Sequence, residues 1–180
     1  MQKGQTHPAA LVSKSLISDA LISLIQESGF RQITITLLCE RAQIARRTFY
    51  RNFDTVEDVL RYIGNQTIEE FVCDMLRHKG ESYPDLLASF FSFWREHNDR
   101  FTLFANNDLT HILFEGYIGC LSQLSFLFGS ASDSAYPANG YLQAYVAGGL
   151  WSVLMYQNAI GKPVSSQELA HIISCNEHAC

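Results

Sequence analysis

The chain has 180 residues, 47% hydrophobic and 17% charged, with a net charge of −5. That composition suits one compact unit or two small ones, and with 4 prolines and 11 glycines it excludes a disordered or collagen-like chain. Five cysteines (Cys39, Cys73, Cys120, Cys175, Cys180), odd in number and without a C-x-x-C pair, indicate neither a disulfide framework nor a zinc knuckle and suggest a reducing, cytoplasmic setting.

Met1 to Pro8 hold no apolar stretch of the secretory kind, so no signal sequence is expected. In the first predicted helix Leu16, Ile17, Ala20, Leu21, Leu24 and Ile25 form one apolar stripe that Gly29 ends. Thr34 is a good N-cap for a second, short helix carrying Ile35, Leu38, Cys39 and Ala42. After the break Gln43-Ile44-Ala45, residues 46–53 read as a third helix. Phe49 and Phe53 lie on its inner side, with Arg47, Tyr50 and Arg51 largely opposite.

Thr55-Val56-Glu57-Asp58 predicts a capped start to a longer helix running toward Gly80. Pro84-Asp85 opens another, with Leu86, Leu87, Phe90, Phe91 and Trp94, and the apolar theme continues through Ile112, Leu113, Tyr117, Leu121, Leu124 and Phe128. Residues 134–161 carry no charge, but Gln143, Ser152, Gln157 and Asn158 interrupt them, so a buried helix of an assembly fits better than a membrane span. Ser165-Ser166-Gln167-Glu168 is a capping box opening a last helix with Leu169, Ile172 and Ile173. The expected fold class is all-α.

Charge divides the chain unevenly. Residues 1–55 hold seven basic and four acidic side chains, net +3, whereas the remainder carries −8. A basic head that meets a polyanion and an acidic body that does not would produce this pattern. Two short helices joined by a tight turn, the second basic outside, form a helix-turn-helix over about 34–53, the geometry that lays one helix in the DNA major groove. Arg47 and Arg51, one turn apart, are placed to read guanine, while Tyr50, Thr34 and Thr36 are placed to meet phosphates. A solvated basic face on a structural hairpin fits the same residues.

The run from Gly29 to Leu60, with its core Thr48-Phe49-Tyr50-Arg51-Asn52-Phe53, resembles the DNA-binding domain of the TetR/AcrR family of transcriptional regulators, most strongly over residues 13–60. Tyr141 to Leu150, with the Gly161-to-Ser165 tail, resembles a subgroup that includes activators of dihydroxyacetone kinase genes. The resemblance implies a DNA-binding domain over 1–55 and a helical regulatory and dimerisation domain over 56–180. It further implies a homodimer that binds double-stranded DNA at a palindromic operator, usually as a repressor released by a small molecule. Carried onto this chain, Arg46, Arg47, Thr48 and Arg51 fall at positions that meet bases or nearby phosphates, and Tyr50 at a phosphate position. Three residues depart from the family pattern: Gln43 stands where Gly is usual, Ala45 where a capping Ser is frequent, and Val56 where a Lys is common. Those departures keep open a helical dimeric module, or an activator or co-regulator, with weak or no operator binding of its own.

Eleven of the 22 aromatic residues fall between Tyr83 and Phe128, suggesting a pocket for an apolar or aromatic ligand lined by Phe90, Trp94 and Tyr117, with Asn107 or His111 as polar anchors. Plain core is the alternative use of the same residues. For a dimer interface, Ala144, Gly148 and Ser152 give a smooth helix face, joined by Trp151, Leu169 and Ile172. No catalytic motif, phosphate-cradling loop or cofactor signature is present, so neither enzyme chemistry nor a cofactor is expected. The tail group His171, Cys175, His178 and Cys180 has metal-ligand residue types but sits at a chain end, where fraying is usual, so no metal is expected either.

Overall fold

Residues 8–124, 139–161 and 164–177 are described in the computed structural model. Among them are helices and turns without a strand, as an all-α fold requires. Contacts divide the chain into two compact units, residues 1–65 and 66–180.

In the first unit α1 (Pro8–Ser28) buries Ile17, Ala20, Leu21, Leu24 and Ile25 and leaves Leu16 half exposed, so the predicted stripe loses its first member. Gly29 ends α1 with φ 75°, a conformation glycine adopts without a Cβ penalty, and its N–H donates to Ile25 O at 2.9 Å. A 3-10 turn (Phe30–Gln32) leads to Thr34, whose hydroxyl oxygen accepts from Leu37 N–H and caps α2 (Ile35–Arg41). α3 (Arg46–Tyr50) follows and seats Phe49, fully buried, against Phe53. It is shorter than the predicted 46–53: its regular part stops at Tyr50, and Asn52 Nδ2 donates to Thr48 O at 2.7 Å, a side-chain bond of the kind that competes with helix continuation. α4 (Val56–Arg77) begins in this unit and ends in the next. Its start is the reciprocal box foreseen: Asp58 N–H donates to Thr55 Oγ1, and Thr55 N–H and hydroxyl donate to Asp58 Oδ2.

The second unit is built on rings. α5 (Tyr83–Glu96) is capped by Ser82, with Pro84 in the first turn, and buries Leu86, Leu87, Phe90, Phe91, Phe93 and Trp94. α6 (Asn98–Ala105) is a short helix the sequence reading missed. Asp108, at φ 61°, turns the chain into α7 (Thr110–Cys120). α8 (Asn139–Ile160) and α9 (Ser166–Glu177) complete the unit, with α9 lying along α5. Phe71 of α4 meets Phe90, Phe93 and Tyr117 edge-on at 5.2–5.8 Å between ring centres, and Trp151 of α8 stacks on Tyr117 at 5.9 Å. Each favourable ring pair adds about 0.5–1.5 kcal/mol beyond area burial.

Among the described residues Ala9–Ser28 alone is long and apolar enough to cross a membrane by length and composition. Its apolar stripe, from Ile17 to Ile25, is instead buried inside the first unit.

Candidate nucleic-acid interface and cleft

The exposed basic side chains of the first unit are not equivalent. Arg41 forms a two-pronged pair with Glu27, 2.6 Å on each prong, and also donates to Ser23, fastening α2 to α1. That hydrogen-bonded pair holds the Glu27 carboxyl below its usual pKa, and Arg41 is thereby committed to structure. Lys14 Nζ lies over the Tyr62 ring at 4.8 Å and the Phe53 ring at 5.7 Å, a cation–π placement. Arg46 donates to the Thr36 hydroxyl, joining the first turns of α3 and α2. Arg47 and Arg51 are exposed and their guanidinium groups meet no partner among the described residues. They remain one helical turn apart, since Arg51 N–H donates to Arg47 O at 3.2 Å.

Tyr50 is exposed beside them, Thr48 is half buried, and Thr34 and Thr36 are exposed. Thr34 already spends its oxygen on the α2 cap and keeps its O–H free to donate. The turn between the helices carries the two departures from the expected pattern. Gln43 takes φ 52°, a left-handed conformation that costs a non-glycine residue about 1 kcal/mol or more. Ala45 is the N-cap of α3 and supplies no side-chain hydrogen bond.

In the second unit a cleft of about 380 Å³ opens between α5, α6, α8 and the start of α9. Of the five pocket residues expected from sequence, Trp94 alone lines it. Phe90 and Tyr117 are instead packed inside the ring cluster. Asn107 Nδ2 donates to Leu103 O at 2.9 Å, closing the α6 turn, and His111 is exposed. Phe91 and Phe101, next to or near the expected residues in sequence, are the aromatic wall the reading missed. Burial raises the Tyr117 hydroxyl above its ordinary pKa and pushes the Cys120 thiol up to about 11.

Among the six residues expected at a dimer interface, Trp151 and Leu169 are buried within their own chain and so are unavailable to a partner. Ser152, Ala144 and Ile172 are exposed, and Gly148 is half exposed. Ala144, Gly148 and Ser152 border a stripe along α8 that carries Tyr141, Tyr145 and Tyr156, 84%, 79% and 66% exposed, without a charged side chain. Cys73 and Cys175 are exposed, Cys39 and Cys120 buried. Among the described residues no three His, Cys, Asp or Glu side chains gather as a metal site; His171 lies 3.7 Å from Cys175 Sγ, whereas His178 and Cys180 fall outside the described residues.

Residues 17–63 match the family model described as bacterial regulatory proteins, tetR family. The HTH-type dhaKLM operon transcriptional activator DhaS of Lactococcus lactis is 28% identical over 65 residues, which span 36% of this chain and 35% of that one, about a third of its length. Among solved structures, the fatty acid degradation regulator FadR of Bacillus halodurans superposes with a TM-score of 0.64 at 19% identity, covering 96% of this chain and 94% of that one. FadR of Bacillus subtilis, solved with stearoyl-CoA, gives 0.65 at 17% identity over 88% and 94%. The dihydroxyacetone kinase operon activator DhaS gives 0.60 at 18% over 94% and 96%. The tetR family model thus covers residues 17–63 of this chain, and the solved regulators share the fold of the chain as a whole.

Proposed function

We propose that the chain is a sequence-specific DNA-binding transcriptional regulator that works as a homodimer and answers to a small molecule held by residues 66–180. The observation that carries this reading is the unpaired Arg47 on α3 with Arg51 at its C-cap, inside the stretch that matches the tetR family model. A guanidinium without a protein partner is free to make the bidentate contact to guanine O6 and N7, worth about 1–3 kcal/mol of discrimination. Arg46 and Thr48 stand beside it for bases or nearby phosphates, with Tyr50, Thr34 and Thr36 for phosphates. The basic surface lies where the net charge is positive, while the body repels the polyanion. No catalytic role is part of this reading, and the protein acts in the cytoplasm.

A homodimer accounts for the uncharged, exposed stripe of α8: three tyrosines and a smooth glycine–serine surface bury well against their own two-fold copy. Such a pair would present two α3 helices to half-sites about 34–36 Å apart, or a multiple of that spacing. The sign of control has a second reading. Repression is the family's usual mode, but the Lactococcus relative is described as an activator, which favours activation here.

The test is selection of sites from a random DNA library by the purified protein at near-physiological salt, with its mass measured in parallel. A dimer that enriches a palindrome is expected. On that palindrome Arg47→Ala combined with Arg51→Ala should lose about 100-fold in affinity or more while the fold is retained. A dimer that enriches nothing would overturn the operator-binding reading and leave the helical interaction module.

A further inference from the structure

The cleft of the second unit is built like a receptor for one chemical group. Its wall comes from α5 (Phe91, Trp94, Arg95), α6 (Phe101), α8 (Leu154) and the start of α9 (Leu169). Its size sits at the low end of small-molecule sites, which run about 300–1,000 Å³. Among the described lining residues Arg95 is the charged one, and its exposed guanidinium has no ion-pair partner among them. Elsewhere in the same unit Arg100 is held by Glu70 at 2.7 Å and Arg77 by Asp74 at 2.7 Å, so an unpaired arginine at this rim stands out.

The remaining polar side chains of the wall are the amides of Asn98, Gln157 and Asn158, the Ser166 hydroxyl and the Trp94 indole. Trp94 is 2% exposed, and its indole N–H has no hydrogen-bond partner. An orphaned buried donor costs about 1–3 kcal/mol; this one is closed off from solvent and so is not open to the cleft. Asn158 Oδ1 accepts from the Thr102 hydroxyl at 3.4 Å, which turns its amide NH2 to other use. Gln157 is oriented by its bond to Val164 O at 3.3 Å. Phe91, Phe101, Leu154 and Leu169 supply the apolar wall. The α9 N-terminus adds little to anion binding, because Glu168 already caps it through Ser165. Charge recognition therefore falls to Arg95.

We infer that this cleft binds a small monocarboxylate with a compact apolar body, the carboxylate on Arg95 and the amides, the body against Phe91, Phe101 and Leu154. Arginine suits this role because its planar fork matches a carboxylate two bonds at a time. The inference rests on the proposed reading of residues 66–180 as the ligand-sensing unit and names the class of ligand.

Calorimetric titration of the full chain with 3-phenylpropanoate and 4-methylpentanoate, each against its own amide, separates charge from shape, and acetate tests the carboxylate without the apolar body. At least one acid is expected to bind with a Kd below about 1 mM, at least about tenfold tighter than its amide, with acetate silent. Arg95→Gln, an exposed position that leaves the fold intact, should bring the acid down to the level of the amide. Leu154→Trp, which fills the cleft, should remove both. Equal binding of acid and amide, undiminished binding by Arg95→Gln, or no heat from either acid at about 10 mM would each overturn the inference. Site selection on DNA with the same preparation keeps the two readings apart: DNA selection without acid binding sinks the cleft alone, and acid binding without DNA selection sinks the regulator reading alone.

Discussion

The two units solve opposite problems with the same helical vocabulary. In residues 1–65 the chemistry lies outside: a small apolar core around Phe49 holds two short helices so that Arg47 and Arg51 face solvent unpaired. In residues 66–180 it lies inside, where rings from α4, α5, α7 and α8 close one region completely and leave a cleft beside it. The difference teaches where each unit tolerates imperfection. The first carries a left-handed Gln43 and an N-cap of α3 without a side-chain hydrogen bond, both in the turn before α3. Buried unsatisfied groups occur in both, Ser18 Oγ in the first and Trp94 Nε1 and Tyr117 OH in the second.

The sharpest break of this comparison is Phe71→Ala. Phe71 is fully buried at the centre of the ring cluster, in edge-on or tilted contact with Phe90, Phe93, Trp94 and Tyr117. Truncation removes its transfer free energy and leaves a cavity that rigid neighbouring rings fill poorly, a loss of about 3–5 kcal/mol. Both tryptophans, Trp94 and Trp151, lie in the second unit, so their fluorescence during urea unfolding reports this loss directly. A midpoint unchanged by the substitution would mean the cluster is not what holds the unit together.

What could be read from sequence followed the range of the interaction. Local devices were legible: the Thr34 cap and the Thr55–Asp58 and Ser165–Glu168 boxes depend on residues two to four apart and appear where expected. The turn departures were legible for the same reason; Gln43 with positive φ and Ala45 without a cap bond are what a missing Gly and a missing Ser predict. The cleft was not legible. Periodicity marks α5 as apolar on a broad face, but whether Phe90 or its neighbour Phe91 borders a gap depends on side chains of α6, α8 and α9 distant in sequence. Trp151 and Leu169 were misassigned to a partner surface because α8 lacks charge all round, so no polar contrast told its inner stripe from its outer one. α6 escaped because a helix from Asn98 to Ala105, just two turns long, shows too little of the period to register.

The first unit can be sharpened by repair. Ala45→Ser supplies the missing cap and should stabilise by about 1 kcal/mol. Gln43→Gly relieves the left-handed backbone, with a gain of similar size reduced by the extra freedom glycine has when unfolded. Amide exchange in α2 and α3 is the readout, since tryptophan is absent from this unit. If the turn limits DNA affinity, the double variant binds its selected site more tightly with an unchanged salt slope, because no phosphate contact is added. Slower exchange with unchanged affinity would separate the stability of the turn from its role in reading DNA.

Acid should act on the two units unequally, and more weakly than either substitution. Hydrogen bonds from Thr55 lower the pKa of Asp58 from its ordinary 3.8, and those from Arg41 lower Glu27 from 4.5; both lie in the first unit. Ser165 does the same for Glu168 in the second. A carboxylate with a depressed folded pKa binds its proton at higher pH in the unfolded chain. The stability it contributes is therefore full above about pH 4.5 and drains as pH falls through the folded value. Glu27 and Glu168 are exposed and Asp58 half-buried, so the effect is modest and screened by salt. Amide exchange between pH 5 and pH 3.5, corrected for the intrinsic rate, should show α1 to α3 losing protection before α5 and α7. Asp58→Asn and Glu27→Gln should flatten that loss in the first unit, whereas Glu168→Gln should leave it unchanged; an equal acid response in every variant would mean that these caps and the clamp on α1 contribute nothing to the pH dependence.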